Sequence, residues 1–140
     1  MIVRQFAPAD LMMLALQPHQ RALTAEVATP EYAAELAKHG ASFTVADSDG
    51  IVAVIGLIKQ WDGCERAYAF LAETAGYHML SITRKIAAHL DTCGIRRIEA
   101  VVEENFDSGH RWVRLLGFKP EGLMHKYWND RNAVLYARIA

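Results

Sequence analysis

Six histidines, two cysteines and a loop that opens a short helix are the parts of this chain able to do chemistry near neutral pH. A histidine ring exchanges its proton near neutral pH, and His78 and His110, each near a helix start, are the candidate acids or bases or else polar helix-start residues without chemistry. A metal site needs paired ligands, such as two histidines one helical turn apart with a carboxylate. His19, His39, His89 and His125 show no such spacing, so no metal is expected. Cys64 and Cys93 are far apart, outside any CxxC arrangement and without a neighbouring base. That argues for two reduced thiols and against a thiol nucleophile. Ser81, Thr83 and Ser108 lack the Gly-x-Ser-x-Gly context of an activated hydroxyl. What remains is proton transfer, together with anion binding by free backbone N–H groups at a helix start.

One stretch is built to present such groups. Asn105 to Phe118 reads Asn-Phe-Asp-Ser-Gly-His-Arg-Trp-Val-Arg-Leu-Leu-Gly-Phe and follows the strand-like run Ile98 to Val102. Asp107 or Ser108 is expected to cap a short helix by accepting an N–H of its first turn. Trp112, Leu115 and Leu116 fall at the three- and four-residue spacing of one apolar face. Gly117 stops the helix, because glycine takes the left-handed cap geometry without steric cost. Strand, loop, helix and Gly-Phe stop together offer a loop and a helix start, with His110, to a ligand.

The elements around it follow from periodicity. Ile2 to Phe6 alternates as a half-buried strand does. Ala7 to Asp10 starts a helix that spans Leu11 to Leu23, with a break near Pro18. Thr29 and Pro30 predict an N-cap and a first helical position, and Gly40 is expected to close that helix. Ser42 to Ala46, Ile51 to Ile58 and Arg66 to Leu71 are three strands close enough for an antiparallel meander, with a bulge expected at Gly56. Met79, Ile82, Ile86 and Leu90 predict a helix over Tyr77 to Thr92, capped by Gly94. Ile95 to Val102 is a strand reached by a crossover, and Lys119 to Tyr127 and Ala133 to Ile139 form a final hairpin. The order β-α-α-β-β-β-α-β-α-β-β is that of an α+β, mixed α/β fold.

A chain of 140 residues is expected to form a single domain, 1–140, and its 52% apolar content supports a sizeable core. A net charge of −1 gives no basis for bulk binding of nucleic acid or an anionic membrane, so any anion site must be local. No apolar run reaches the ~20 residues that span a bilayer. The start, Met1 to Phe6, lacks the pattern of a signal peptide, and a cytoplasmic setting is expected.

This element order, with Gly117-Phe118 after the penultimate helix and a closing hairpin, resembles the GCN5-related N-acetyltransferases, the GNAT superfamily. The most specific part is Arg111 to Phe118, which is similar to the family's aromatic-rich helix ending in Leu-Gly-Phe. The phrasing His110-Arg111-Trp112 through Gly117-Phe118 is also similar to a phage-encoded branch, some of whose members are internal virion proteins. The resemblance implies acetyl-CoA bound where the fourth and fifth strands splay. The pantetheine arm pairs with the fourth strand, here Tyr68 to Ala72, as an added strand. The pyrophosphate sits on N–H groups of the following loop, here Glu73 to His78. The implied cofactor-binding residues are Phe70, Leu71, Ala72, Thr74, Ala75, Gly76, Tyr77, His78 and Asn105. A backbone N–H of the fourth strand is implied to polarise the thioester carbonyl.

Departures from the family pattern fall in that loop and in the penultimate helix. With Gly76 read as the first glycine of the family's Gln/Arg-x-x-Gly-x-Gly/Ala loop, Glu73 replaces Gln/Arg and His78 the last small residue. With Gly76 read as the second, Thr74 replaces the first and Leu71 the Gln/Arg. Val113 stands where many members carry a tyrosine acid, and Asn105 lies one residue further from Gly117 than the family's asparagine. The resemblance implies Glu73 as general base, where burial would raise its pKa; the other reading is a solvated loop carboxylate or a helix-start charge favoured by the macrodipole. The resemblance leaves the acid role to His110 or Tyr77. Arg84, Lys85, Arg96 and Arg97 are either contacts for the 3′-phosphate or ordinary surface charge. The expected activity is acyl-CoA-dependent transfer of acetyl to a small-molecule or protein amine. The other reading is an inactive fold that serves a phage particle or binds a host protein. Terminal strands could mediate a homodimer.

Overall fold

Pro8, Pro18 and Pro30 each stand first in a helix, where a missing N–H costs nothing, and they divide the chain's early part into three helices. The structure is a computed structural model that describes residues 1–24, 29–38 and 41–140. In order, its elements are β1 (Ile2–Gln5), α1 (Pro8–Met13), α2 (Pro18–Thr24), α3 (Pro30–Lys38), β2 (Ser42–Asp47), β3 (Gly50–Trp61), β4 (Cys64–Leu71), a 3₁₀ turn (Glu73–His78), α4 (Met79–Thr92), β5 (Arg97–Glu103), α5 (Asp107–Leu115), β6 (Lys119–Trp128) and β7 (Arg131–Ile139). The strands join in one sheet, β1-β2-β3-β4-β5-β7-β6, in which β4 and β5 run parallel. The expected α+β class is present. None of the described helices is long and apolar enough to cross a membrane.

Two compact units divide the chain, Met1–Lys59 with Ala67–Ile82 and Gln60–Arg66 with Thr83–Ala140. In the first, the break expected near Pro18 is present and separates α1 from α2. Leu14 turns extended (φ −79°, ψ 123°) and ends α1. Leu16 then bridges antiparallel to Ala72, and Pro18 restarts the helix. A residue before proline is steered away from helical angles, which places Gln17 in that extended link. Phe6, Leu11, Leu14, Leu16, Ala33, Leu36, Val54, Phe70 and Ala72 form one buried cluster. Each large apolar side chain in it contributes roughly 1.5–3 kcal/mol. The Thr29 cap is present, its Oγ1 accepting the Tyr32 N–H at 3.2 Å, while the expected closure at Gly40 lies outside the described residues.

The bulge expected at Gly56 lies elsewhere. Val45 pairs with Ala53 and Ala46 with Ile51, so the extra residue is Val52. Gly56 answers to space instead: a Cβ there would sit 2.5 Å from the Ala41 carbonyl oxygen and 2.6 Å from Tyr68 Oη. Asp10 is buried, and it joins β1, α1 and β2. It accepts both Nη1 and Nη2 of Arg4 at 2.8 Å, the Ala7 N–H at 2.9 Å and the Thr44 hydroxyl at 2.8 Å. The Arg4 guanidinium, helped by the Ala7 N–H and the Thr44 hydroxyl, holds its pKa down at about 2.

In the second unit β5 pairs antiparallel with β7 from Arg97↔Ile139 to Glu103↔Ala133, and β6 pairs with β7. Helix α5 corrects two expectations. Its buried face is Gly109, Val113 and Leu116, while Leu115 is exposed and Trp112 half-buried, its Nε1 donating to Thr83 Oγ1 at 2.8 Å. Its N-cap is Phe106, with no side-chain cap, because the helix begins at Asp107 itself. The Gly117 stop is as expected: φ is +90°, the Gly117 N–H reaches Arg114 O and the Phe118 N–H reaches Val113 O. That pair of bonds is a complete Schellman cap.

Asp10→Ala is expected to lower the unfolding free energy by about 2–4 kcal/mol near pH 7, because it leaves the Thr44 hydroxyl and Ala7 N–H without their acceptor. Since the folded pKa is depressed, this stability is present above the ordinary carboxyl value and lost as pH falls towards about 2. Urea denaturation should therefore show the gap to wild type closing between about pH 5 and pH 2.

Candidate active site

A strand end must find partners for its last N–H and C=O groups, and β4 finds them on two sides. Towards β3, the Ala72 N–H donates to Val52 O at 2.8 Å. On the opposite edge the Gln17 N–H donates to Leu71 O at 2.9 Å, and the Glu73 N–H to Ala15 O at 3.0 Å. Between them lies a side chain. Gln20 Nε2 donates to Ala69 O at 2.6 Å, and the Leu71 N–H donates to Gln20 Oε1 at 2.6 Å. The carboxamide thus meets a C=O and an N–H two residues apart, the pair a neighbouring strand would engage. Phe70, Leu71 and Ala72 are buried here. Of the β4 N–H groups at this end, that of Ala72 is held by backbone and that of Leu71 by the Gln20 side chain.

The expected open loop is a 3₁₀ turn, and helix α4 begins at Met79 rather than Tyr77. Ala75 is buried and its N–H reaches Ala72 O at 3.0 Å, so the small residues have let the chain tighten. Gly76 faces open space, with no atom within 4 Å of where a Cβ would stand. Glu73 is the solvated carboxylate of the two readings: it is exposed, and its Oε1 lies 2.6 Å from Arg21 Nη2. Tyr77 is 90% exposed. His78 Nε2 lies 2.8 Å from Asp47 Oδ2, tying the turn to the β2–β3 hairpin. His78, and then the N–H of Asp49, hold the Asp47 carboxyl below its ordinary range.

Phe70 to His78 therefore lie together at one corner of the first unit. Asn105 and His110 belong to the second, at the start of α5. Asn105 is exposed, and its N–H donates to Glu103 Oε2 at 2.8 Å. His110 Nδ1 lies 2.7 Å from Tyr136 Oη, and Nε2 lies 2.9 and 3.0 Å from the carbonyl oxygens of Glu103 and Glu104. Carbonyls only accept, so Nε2 carries the proton and Nδ1 accepts from the tyrosine. The ring is a strut with both nitrogens engaged, which corrects its reading as a free acid or base. Val113, at the position of the family's tyrosine, is 8% exposed and packs inward.

Arg97, a candidate for a phosphate, is engaged by Glu99 at 2.9 Å and by both carboxylate oxygens of Glu121 at 2.6 and 3.1 Å. Those carboxylates push its pKa up. Arg96 Nη2 donates to Asp62 O at 3.3 Å, and Arg84 and Lys85 are exposed on α4. The sequence reasoning missed Gln17, Gln20 and Arg21. They reach the site across about fifty residues of chain, and no local pattern marks them.

No family model matches this chain, and no curated protein does. Solved structures do. A ribosomal-protein-alanine N-acetyltransferase from Brucella melitensis matches with a TM-score of 0.73 at 11% identity, over 100% of both chains. A spermidine N-acetyltransferase from Vibrio cholerae matches at 0.69 and 13%, over 99% of this chain and 95% of that one. A GNAT superfamily phosphinothricin acetyltransferase from Sinorhizobium meliloti, in complex with AcCoA, matches at 0.70 and 17%, over 99% and 87%. The chain has the GNAT fold, as its element order led one to expect.

His110→Ala is expected to cost about 1–3 kcal/mol in urea denaturation, since it takes the acceptor from the Tyr136 hydroxyl and a donor from the Glu103 and Glu104 carbonyls. An unchanged midpoint would remove the strut role.

Proposed function

We propose that this chain is an acyl-CoA-dependent N-acyltransferase that moves acetyl from acetyl-CoA to an amine. The observation that carries the reading is the edge of β4. Its parallel pairing with β5 covers only Cys64–Arg66. Further along, Ala69 C=O and Leu71 N–H are bonded to a side-chain amide instead of a strand. The amide groups of a pantetheine arm have the same donors and acceptors as the carboxamide on that edge, which supports the reading. The turn that follows is small at Thr74, Ala75 and Gly76, and open at Gly76, where a pyrophosphate needs close approach to the start of α4. When bound, acetyl-CoA supplies the acyl group as a thioester that an amine attacks directly.

The chain's own residues then handle protons. Glu73, beside that turn, takes the proton of the amine directly or through water. Tyr77, with its hydroxyl in solvent, gives a proton to the departing CoA thiolate, which leaves as the thiol. His110 is left out of this assignment because both ring nitrogens hold structural bonds. Proteins of this fold act on amines as unlike as spermidine and a ribosomal-protein alanine. Both a polyamine and a peptide N-terminus therefore belong in the first acceptor screen.

A second reading, a fold kept for binding or assembly without CoA, draws support from Glu73 in the phosphate loop and from the inward Val113. A thermal-shift titration separates the two. Acetyl-CoA at a hundred times its Kd should add about 2.7 kcal/mol of stability and raise Tm by several degrees, with ATP as a control. No shift up to millimolar acetyl-CoA would favour the second reading. In the enzyme reading, Glu73→Gln should lower kcat by about 10²-fold with little change in the KM for acetyl-CoA. An unchanged rate removes the base assignment.

A further inference from the structure

We propose that Gln20 is a latch on the acyl-CoA site. Its carboxamide holds the edge groups of β4 that the co-substrate's amides need, and binding must displace it. This inference rests on the acyltransferase reading and names the regulation of that same site.

Three contacts from α2 and the link before it meet the end of β4 in register. The Gln17 N–H bonds Leu71 O, the Gln20 carboxamide spans Ala69 O and the Leu71 N–H, and Arg21 meets Glu73. Gln20 and Arg21 follow Gln17 by three and four residues, so they fall on one helical face. The two kinds of contact differ in permanence. Gln17 is bonded through its backbone and is continuous with the Leu16–Ala72 bridge, so it is part of the fold. Gln20 reaches the strand through a flexible side chain that can rotate away with the backbone of α2 in place.

The hydrogen-bonding exchange is nearly balanced. A carboxamide leaving for water regains partners there, while Ala69 C=O and Leu71 N–H regain theirs from the incoming ligand. A neutral amide is also the right replacement for another amide. A carboxylate at position 20 accepts from the Leu71 N–H but has no proton for Ala69 O, so it holds one contact and opposes the other. Arg21, paired with Glu73 in solvent, ties the same helix to the turn at an exposed site that salt screens. With the Gln20 carboxamide in place, Ala69 C=O and the Leu71 N–H are both paired, so the strand edge is covered.

The test compares acetyl-CoA binding to wild type, Gln20→Ala and Gln20→Glu by isothermal titration. If the latch competes with the ligand, both variants bind acetyl-CoA about tenfold more tightly while their ligand-free melting points fall. A ¹⁵N spectrum supplies a readout that does not depend on a variant folding. The side-chain amide signals of Gln20, identified as those missing in Gln20→Glu, should move to solvent-like positions when wild type is saturated with acetyl-CoA. Equal or weaker binding by the variants, or Gln20 signals that stay in place while acetyl-CoA binds wild type, overturns the latch and leaves the acyltransferase reading standing. No binding of acetyl-CoA to any of the three proteins overturns both.

Discussion

Unpaired backbone at the end of β4 is the constraint on which the first unit depends. A buried strand cannot leave its N–H and C=O groups unbonded. The chain meets that demand by folding Ala15 to Gln17 against Leu71 to Glu73 and by laying α2 beside the strand. This is why α1 stops at Met13 although apolar residues continue to Leu16. Leu14 and Leu16 are buried in an extended segment, so the break between helices is a packed part of the core.

The second unit solves a similar problem with a histidine. Between the end of β5 and the first turn of α5 the chain turns, and the Phe106 N–H donates to the Glu103 carbonyl at 3.0 Å. His110 reaches back from α5 to bond the Glu103 and Glu104 carbonyls, and Tyr136 of β7 fixes the ring from its other side. The Glu103 side chain, nearly fully buried, accepts the Asn105 N–H and so closes the same loop. Polar groups that looked like chemistry in the sequence thus hold the α5 start in shape. Buried networks of this kind specify a geometry when every member is satisfied.

Exposure separates the two groups of candidate residues. Glu73 and Tyr77 are exposed on a short turn, Glu73 paired with Arg21 in solvent, whereas His78 is committed to Asp47 and His110 to the β5–α5 loop. The functional reading accordingly moves away from the histidines, which titrate at the right pH, and towards groups with room to act.

Much of the architecture was legible because it follows from local rules. Helix period from Met79 to Leu90, the Pro30 and Gly117 boundaries, the Gly50 turn and the β-branched run from Ile51 need only neighbours in sequence to be read. These fixed the element order, and with it the fold. The errors have the opposite character. Trp112 and Leu115 had helical spacing, but which side of α5 meets the sheet is decided by Val102, against which Gly109 allows close approach. Gly56 suggested a bulge, but it is a contact point with Ala41 and Tyr68. Glu73 is solvated, and its partner Arg21, about fifty residues away, had no mark in the sequence. Sequence alone determined the periodicities, caps and turns, because hydrogen bonds and side-chain spacing within a few residues decide them. Tertiary structure alone decided which strand edge stays open and which side chain fills it, because those partners meet only after the chain has closed long loops.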